Sequence, residues 1–228
     1  MLGSAPSNDR SAAGHRALRE QLLLYVVLDR ELSRGRDLVT VAQAALAGGA
    51  GCIQVRGKDC SGRELYELTA TLRPLTAAAR ALLIVNDRVD IALAAGADGV
   101  HLGQSDLHAT AARRLLGAGK VLGLSVGSVA EALAGVRVVD YLSVSPVFAT
   151  PTKPEAGAGL GLDLVGAIAA AAAPLPVIGI GGLSAANAAA CLAAGAAGIA
   201  VVSAVVSAPD VEAAARQLCQ VLRQAHIN

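Results

Sequence analysis

Three cations and two carboxylates stand where short apolar runs give way to polar loops. Arg56 and Lys58 lie in QVRGKD, and Lys153 closes SVSPVFATPTK, in which Thr150 and Thr152 add two hydroxyls. Fixed positive charge beside hydroxyls suits an anion, above all a phosphate. Each cation alone could equally be a solvated loop charge. Asp87 ends ALLIVND, and Asp106 follows GVHLGQS. Two carboxylates together with phosphate oxygens make a Mg²⁺ site. Asp87 could otherwise cap a helix, and Asp106 could sit in a helix first turn. The GIGG run ending at Gly182, and Val202-Ser203 further on, offer backbone N–H groups to an anion, or form tight turns. His101 could act as acid or base, and its place in GVHL favours a buried structural histidine. No Ser-His-Asp order, HExxH or Walker pattern occurs, and GAGLGL follows a loop rather than a first strand.

These residues need elements to hold them. Eight runs rich in Val, Ile and Leu predict strands: LLLYVVLD (22–29), CIQVR (52–56), ALLIVND (81–87), GVHL (99–102), VLGLSV (121–126), YLSVSPV (141–147), PVIGIGG (176–182) and GIAVVSAV (198–205). Most are apolar throughout rather than alternating, the pattern of parallel strands covered on their outer face. Helices are predicted over 37–47, 62–80, 88–95, 105–116, 128–134, 162–172, 184–194 and 209–225. Ser128 and Ser184 stand at N-cap positions, and Gly96, Gly117 and Gly195 at stops. AGGAGCIQV, AGADGVHL and AGAAGIAV form a weak internal repeat marking strand entries. Eight strand–helix units predict an α/β fold, a single (β/α)₈ TIM barrel over 21–228, behind a polar, mobile lead-in over 1–20 that could be helical near its end. An open doubly wound sheet is the alternative. In such a barrel the site lies at the C-terminal strand ends. Asp29, Gln54, Arg56, Lys58, Asn86, Asp87, His101, Asp106, Ser125, the ATPTK loop and GIGG all fall there.

Composition limits the function classes. The chain has 228 residues, 54% of them hydrophobic but only 2% aromatic, so alanine and branched aliphatics must fill the core. A net charge of +1 gives no case for nucleic acid or an acidic membrane surface. Residues 164–208 carry no charge, but Pro174, Pro176, Gly179, Gly181, Gly182, Gly195 and Gly198 interrupt them, which points to buried α/β structure rather than a membrane span. The first twenty residues lack the pattern of a signal peptide. Cys52, Cys60, Cys191 and Cys219 show no CxxC spacing and suit a reducing cytoplasm.

QVRGKD, IVNDRVDIALAAGADGVHLGQSDL, LGLSVGS, DYLSVSPVFATPTKP, PVIGIGGLS and GIAVVSAV together resemble the thiamine-phosphate synthase family, in its order and spacing, from about Leu22 to Ala208. The resemblance implies a Mg²⁺-dependent transferase with two small-molecule substrates. One is an aminopyrimidine carrying a hydroxymethyl diphosphate. The other is hydroxyethylthiazole phosphate, carboxylated for some members. Pyrophosphate leaves, and the thiazole nitrogen traps a pyrimidine carbocation to give thiamine phosphate.

Carried onto this sequence, the resemblance gives Gln54 and Ser125 to the aminopyrimidine. It gives Arg56, Lys58 and Asn86 to the pyrophosphate, and Asp87 and Asp106 to Mg²⁺. Thr150, Thr152 and Lys153 fall to the thiazole phosphate, with Lys153 also in reach of the leaving group. Gly182, Val202 and Ser203 complete the phosphate cradle. Arg56, Lys58, Ser125 and Lys153 are the catalytic candidates. Glycines at 157, 159 and 161 would let the 148–160 loop close over ligand. A homo-oligomer is compatible with this pattern.

The sequence departs from the family twice. Gly57 stands where an acidic residue usually separates the arginine and lysine. Gly127 stands where histidine is frequent in the family and its relatives, which argues against a thiazole tautomerase. That isomerase and a non-catalytic phosphate-ligand binder are the competing readings. The first needs no Mg²⁺ and no pyrophosphate. The second is disfavoured by the joint presence of two aspartates, three cations and the TPTK loop.

Overall fold

A computed structural model of the chain describes residues 12–150 and 158–227. Eight parallel strands close into a barrel in sequential order, each paired with the next and β8 with β1. They are β1 (Leu24–Leu28), β2 (Cys52–Val55), β3 (Leu82–Asn86), β4 (Gly99–Leu102), β5 (Val121–Val126), β6 (Tyr141–Val144), β7 (Val177–Ile180) and β8 (Gly198–Val201). The alternative of an open sheet is thereby excluded. Helices α2 (Leu38–Ala47), α3 (Gly62–Ala78), α4 (Val89–Ala94), α5 (Ala109–Leu116), α6 (Val129–Gly135), α7 (Gly161–Ala172) and α8 (Ala188–Ala193) follow the first seven strands. Helix α1 (Ala12–Leu22) precedes the barrel, and α9 (Ser203–Val206) and α10 (Val211–Ile227) end it. No helix among the described residues is long and apolar enough to cross a membrane.

Strand periodicity sorts the core into two shells. Leu24, Val26, Leu28, Ile53, Val55, Leu83 and Val85 face the helices. Alanines such as Ala42, Ala45 and Ala188 are fully buried there and let the helices lie close to the sheet. Tyr25, Val27, Cys52, Ile84, Tyr141, Ile178 and Ala200 fill the barrel interior. Local signals hold the helices in place. Ser61 and Glu64 form a capping box on α3, Asp37 caps α2 through the Thr40 N–H, and Ser128 caps α6 through the Glu131 N–H.

Four boundaries differ from expectation. The boundary predicted at residue 20 falls inside α1. Leu18 and Leu22 of that helix are buried in the interior cluster and close the barrel floor, and Arg19 donates to the Pro174 carbonyl. Helix α5 begins at Ala109, with His108 as its cap, because the preceding HLGQSD stretch turns back on itself at Gly103 and Asp106. Helix α8 begins at Ala188, after a turn in which Ser184 N–H donates to Asn187. Strand β8 ends at Val201, and Ser203–Val206 is helical although VVSAVV reads as strand.

At the floor, Arg113 and Asp140 form a buried ion pair at 2.5 Å. Arg113 also donates to the carbonyls of Val138, Gly117 and Lys120, and Asp140 accepts the Leu122 N–H. Partners of this kind are what make a buried pair tolerable. All four cysteines are free thiols.

Candidate active site

The polar strand ends converge as expected, in two hollows with a common wall. The central hollow opens to solvent at the barrel mouth and is lined by polar and apolar side chains together, the mixed character of a small-molecule pocket. Gln54, Arg56, Asn86, His101 and Ser125 line it on one side, and Thr150, Gly182 and Val202 on the other. The second hollow lies over the ends of β2 to β5 and is lined by Arg56, Lys58, Asn86, Asp87, Asp106 and Ser125 among others. Arg56, Asn86, His101, Ser125 and Ser145 belong to both. One ligand lying across that shared edge would place its charged end among the cations and its ring in the barrel.

Asp29, buried at the end of β1, accepts a hydrogen bond from Arg56 at 2.5 Å and also takes the N–H groups of Glu31 and Leu32. Asp29 therefore aims the guanidinium. Asp87 turns the chain at the end of β3 with a φ of 63°, a left-handed conformation that aspartate tolerates better than most residues. Its N–H donates to the His101 carbonyl. Burial, and then the hydrogen-bonded Asp106 carboxyl, push the Asp87 pKa up to about 6, while Arg56 and Lys58 pull the other way. Asp106 also accepts the Gly103 N–H at 2.7 Å. Two carboxyls forced together while short of positive charge are a donor set that a divalent cation completes. Mg²⁺ characteristically takes one or two carboxylates and fills its shell with water and phosphate oxygens. No group of three or more such ligands occurs among the described residues; Asp87 and Asp106 are the two carboxylates here that would hold a divalent ion. Arg88 and Asp90 of the same motif pair with each other at the surface.

On the other side, the β7 turn carries Gly181 and Gly182 at φ of 103° and 64°. Asn187 braces it, donating to the Gly182 carbonyl at 2.9 Å. Val202 lines the central hollow, whereas Ser203 opens α9 exposed to solvent and lines neither. Thr150 faces the central hollow. Thr152, Lys153 and most of the expected closing loop lie outside the described residues.

His101 is buried as expected, yet it lines both hollows and is tied into them. Its Nε2 lies 2.9 Å from Ser125 Oγ and its Nδ1 2.9 Å from the Tyr141 hydroxyl. Tyr141 meets Tyr25 at 3.1 Å, and Gln54 Nε2 donates to the Tyr25 hydroxyl at 2.6 Å. Tyr25, Tyr141, Ser143 and Ser145 are absent from the expected site. Strand parity is the signal that finds them, since each shares the inward face with Gln54, His101 or Ser125.

Comparison with known proteins agrees with this geometry. A family model described as thiamine monophosphate synthase matches residues 24–205. The thiamine-phosphate synthase of Chloroflexus aurantiacus is 55% identical over 196 residues, covering 86% of this chain and 90% of the relative. That of Roseiflexus castenholzii is 50% identical over 203 residues, covering 89% of each. Among solved structures, thiamine phosphate pyrophosphorylase from Pyrococcus furiosus superposes with a TM-score of 0.84 at 40% identity, covering 91% of this chain and 98% of that one.

Proposed function

The chain belongs to the thiamine monophosphate synthase family, a family of transferases, and on that premise we propose how its barrel mouth joins an aminopyrimidine diphosphate to a thiazole phosphate. The observation that carries the reading is the shared edge of the two hollows. It offers a ring pocket beside a cluster of cations and paired carboxylates. The pyrimidine lies between Gln54 and Ser125. Its diphosphate reaches Arg56, Lys58 and Asn86. The thiazole phosphate sits against Thr150, Gly182 and Val202, with Thr152 and Lys153 assigned there from the sequence motif.

The carbon–oxygen bond to the diphosphate breaks and its electron pair leaves with pyrophosphate. Arg56 and Lys58 face the charge that develops there, so they bind the transition state more tightly than the ground state. The thiazole nitrogen then gives its lone pair to the pyrimidine methylene carbon, forming the new bond. No general base is needed for that step. The residues fit Mg²⁺ at Asp87 and Asp106, where it would neutralise leaving-group charge. The buried ring pocket keeps water from the cationic carbon. The unpaired cysteines suit a reducing cytoplasm.

The test is to mix both substrates with the protein, with and without Mg²⁺, and to follow thiamine phosphate as its fluorescent oxidation product. Metal-dependent formation of thiamine phosphate with release of one pyrophosphate is expected. Binding of both substrates without product would overturn the reading in favour of a ligand-binding protein.

A further inference from the structure

Ser143 of β6 carries a hydroxyl for which the fold supplies no bond. The residue is 2% exposed, and its Oγ has no hydrogen-bond partner among the described residues. Strand parity turns it inward. Leu142 and Val144 on either side belong to the helix-facing shell, and Tyr141, two residues back, belongs to the interior cluster. No side-chain nitrogen or oxygen among the described residues is both fully enclosed and unpartnered, so the Ser143 Oγ keeps a narrow opening. Ser143 lines the central hollow, and the opening is there.

A polar group so nearly stripped of water is costly to the fold until something bonds to it. An occupant of the hollow can do so. Ser143 pairs in register with Ser125 on β5 and with Ile178 on β7. Neighbouring strands lie about 4.8 Å apart, so the Ser125 and Ser143 side chains stand side by side on one wall, with apolar Ile178 beyond them. Two adjacent hydroxyls can meet adjacent polar atoms of a single ring.

We propose that Ser143 is a further ring-binding residue, its hydroxyl bonding a polar atom of the aminopyrimidine next to the atom that Ser125 holds. This rests on the function proposed above. The chemistry of the two substrates selects the ring. The thiazole has one nitrogen, whose lone pair must stay open to form the new bond, and its sulfur is a weak acceptor. The aminopyrimidine has two ring nitrogens and an amino group, none of them a reacting atom. A contact there holds the ring without hindering the reaction. A serine hydroxyl both donates and accepts, so it can serve a ring nitrogen or an amino N–H.

The experiment compares the full chain with Ser143→Ala. Calorimetry with Mg²⁺ present gives the affinity for the aminopyrimidine diphosphate, steady-state kinetics give KM for hydroxyethylthiazole phosphate, and thermal melts are run on both proteins without ligand. Ser143→Ala is expected to bind the diphosphate about tenfold more weakly, the effect of one buried hydrogen bond. Its KM for the thiazole phosphate should stay within about twofold of the parent. Without ligand it should melt no lower than the parent, because it removes a desolvated group that has no partner. Diphosphates lacking the amino group, or carrying CH in place of either ring nitrogen, complete a cycle. Parent and variant should bind one of these analogues alike, and that analogue identifies the atom. Unchanged affinity for the diphosphate would show that the hydroxyl meets water alone and overturns the proposal. A loss confined to KM for the thiazole phosphate overturns it in favour of the other ring. An equal loss for the diphosphate and every analogue overturns it and leaves Ser143 as packing. If the parent makes product in any of these cases, the synthase reading stands. A parent that neither binds the diphosphate nor makes product overturns both.

Discussion

A Cβ on Gly57 would stand 3.0 Å from both the Cβ and the Sγ of Cys60, and 3.1 Å from Leu65 Cδ1. The missing acidic residue of the QVRGKD motif is thus matched by a cysteine and a leucine that occupy its space. Gly57→Glu therefore does not simply restore the family pattern. It must push Cys60 aside, and we expect a cost of about 1–2 kcal/mol from overpacking. Cys60→Ala removes the Sγ contact and should recover part of that loss, so the two substitutions are non-additive in a denaturation cycle. Additive effects would show that the loop moves freely to accept a side chain.

The Asp87–Asp106 pair leads to a pH-dependent stability. Asp87 has its pKa raised from 3.8 to about 6 in the folded chain. A carboxyl of this kind holds its proton more tightly folded than unfolded. Its effect on stability is therefore neutral below about pH 4, grows more unfavourable through about pH 6, and is full above that. Asp87→Asn removes the charge, and asparagine tolerates the positive φ. In the presence of a chelator at about pH 7.5 the variant should be more stable than the parent by about 1 kcal/mol, discounted for the group's partial exposure. That corresponds to about 2–4 °C in melting temperature, and the gap should close near pH 4. Added Mg²⁺ should raise the melting temperature of the parent and not of the variant. A parent more stable than the variant at neutral pH would mean that Arg56 and Lys58 already neutralise the pair.

The limits of sequence reading follow from the same residues. Strand ends are readable because unbroken Val-Ile-Leu runs that give way to Arg, Asp or Lys mark where a parallel strand leaves the core for the barrel mouth. Asp87 and Asp106 could be paired because they end adjacent strands. The hydrogen-bonded chain from Gln54 through Tyr25, Tyr141 and His101 to Ser125 could not be read. Tyr25 and Tyr141 sit inside apolar runs, and nothing local distinguishes a phenol that fills space from one that passes on a hydrogen bond. Helix α9 was hidden because VVSAVV has strand propensity, while in the fold this short helical turn lies against both α10 and β1. The docking of helix α1 was hidden because Leu18 and Leu22 are scattered among charged residues, and only the open barrel floor gives them a place to be buried. Gly123 did carry a signal, since an isolated glycine in a strand marks close approach by another group.

Asn187 supports the phosphate cradle without facing its ligand. Its Nδ2 donates to the Gly182 carbonyl and its Oδ1 accepts the Ser184 N–H at 2.8 Å. Both bonds span the turn whose backbone N–H groups would meet the thiazole phosphate. Asn187→Ala should raise KM for the thiazole phosphate by about tenfold, the worth of one to two hydrogen bonds, with kcat falling less. Steady-state kinetics with the diphosphate saturating would check this. A fall in kcat with KM unchanged would place the residue's effect on the chemical step instead.

Gly123 lies on β5 beneath the contact between Tyr141 and His101. A Cβ there would overlap the Tyr141 ring and hydroxyl and lie 2.5 Å from His101 Nδ1, inside the space where those two side chains meet. The strand is paired on both sides, with β4 and β6, so its backbone cannot retreat. Gly123→Ala should therefore cost about 3 kcal/mol or more, read from the urea midpoint, and should drive Tyr141 away from His101. A Tyr141→Leu background empties part of the space. The alanine should cost less there, and the difference measures the steric coupling directly. Equal cost of the alanine in both backgrounds would show that the barrel yields elsewhere and that Gly123 does not make room for Tyr141.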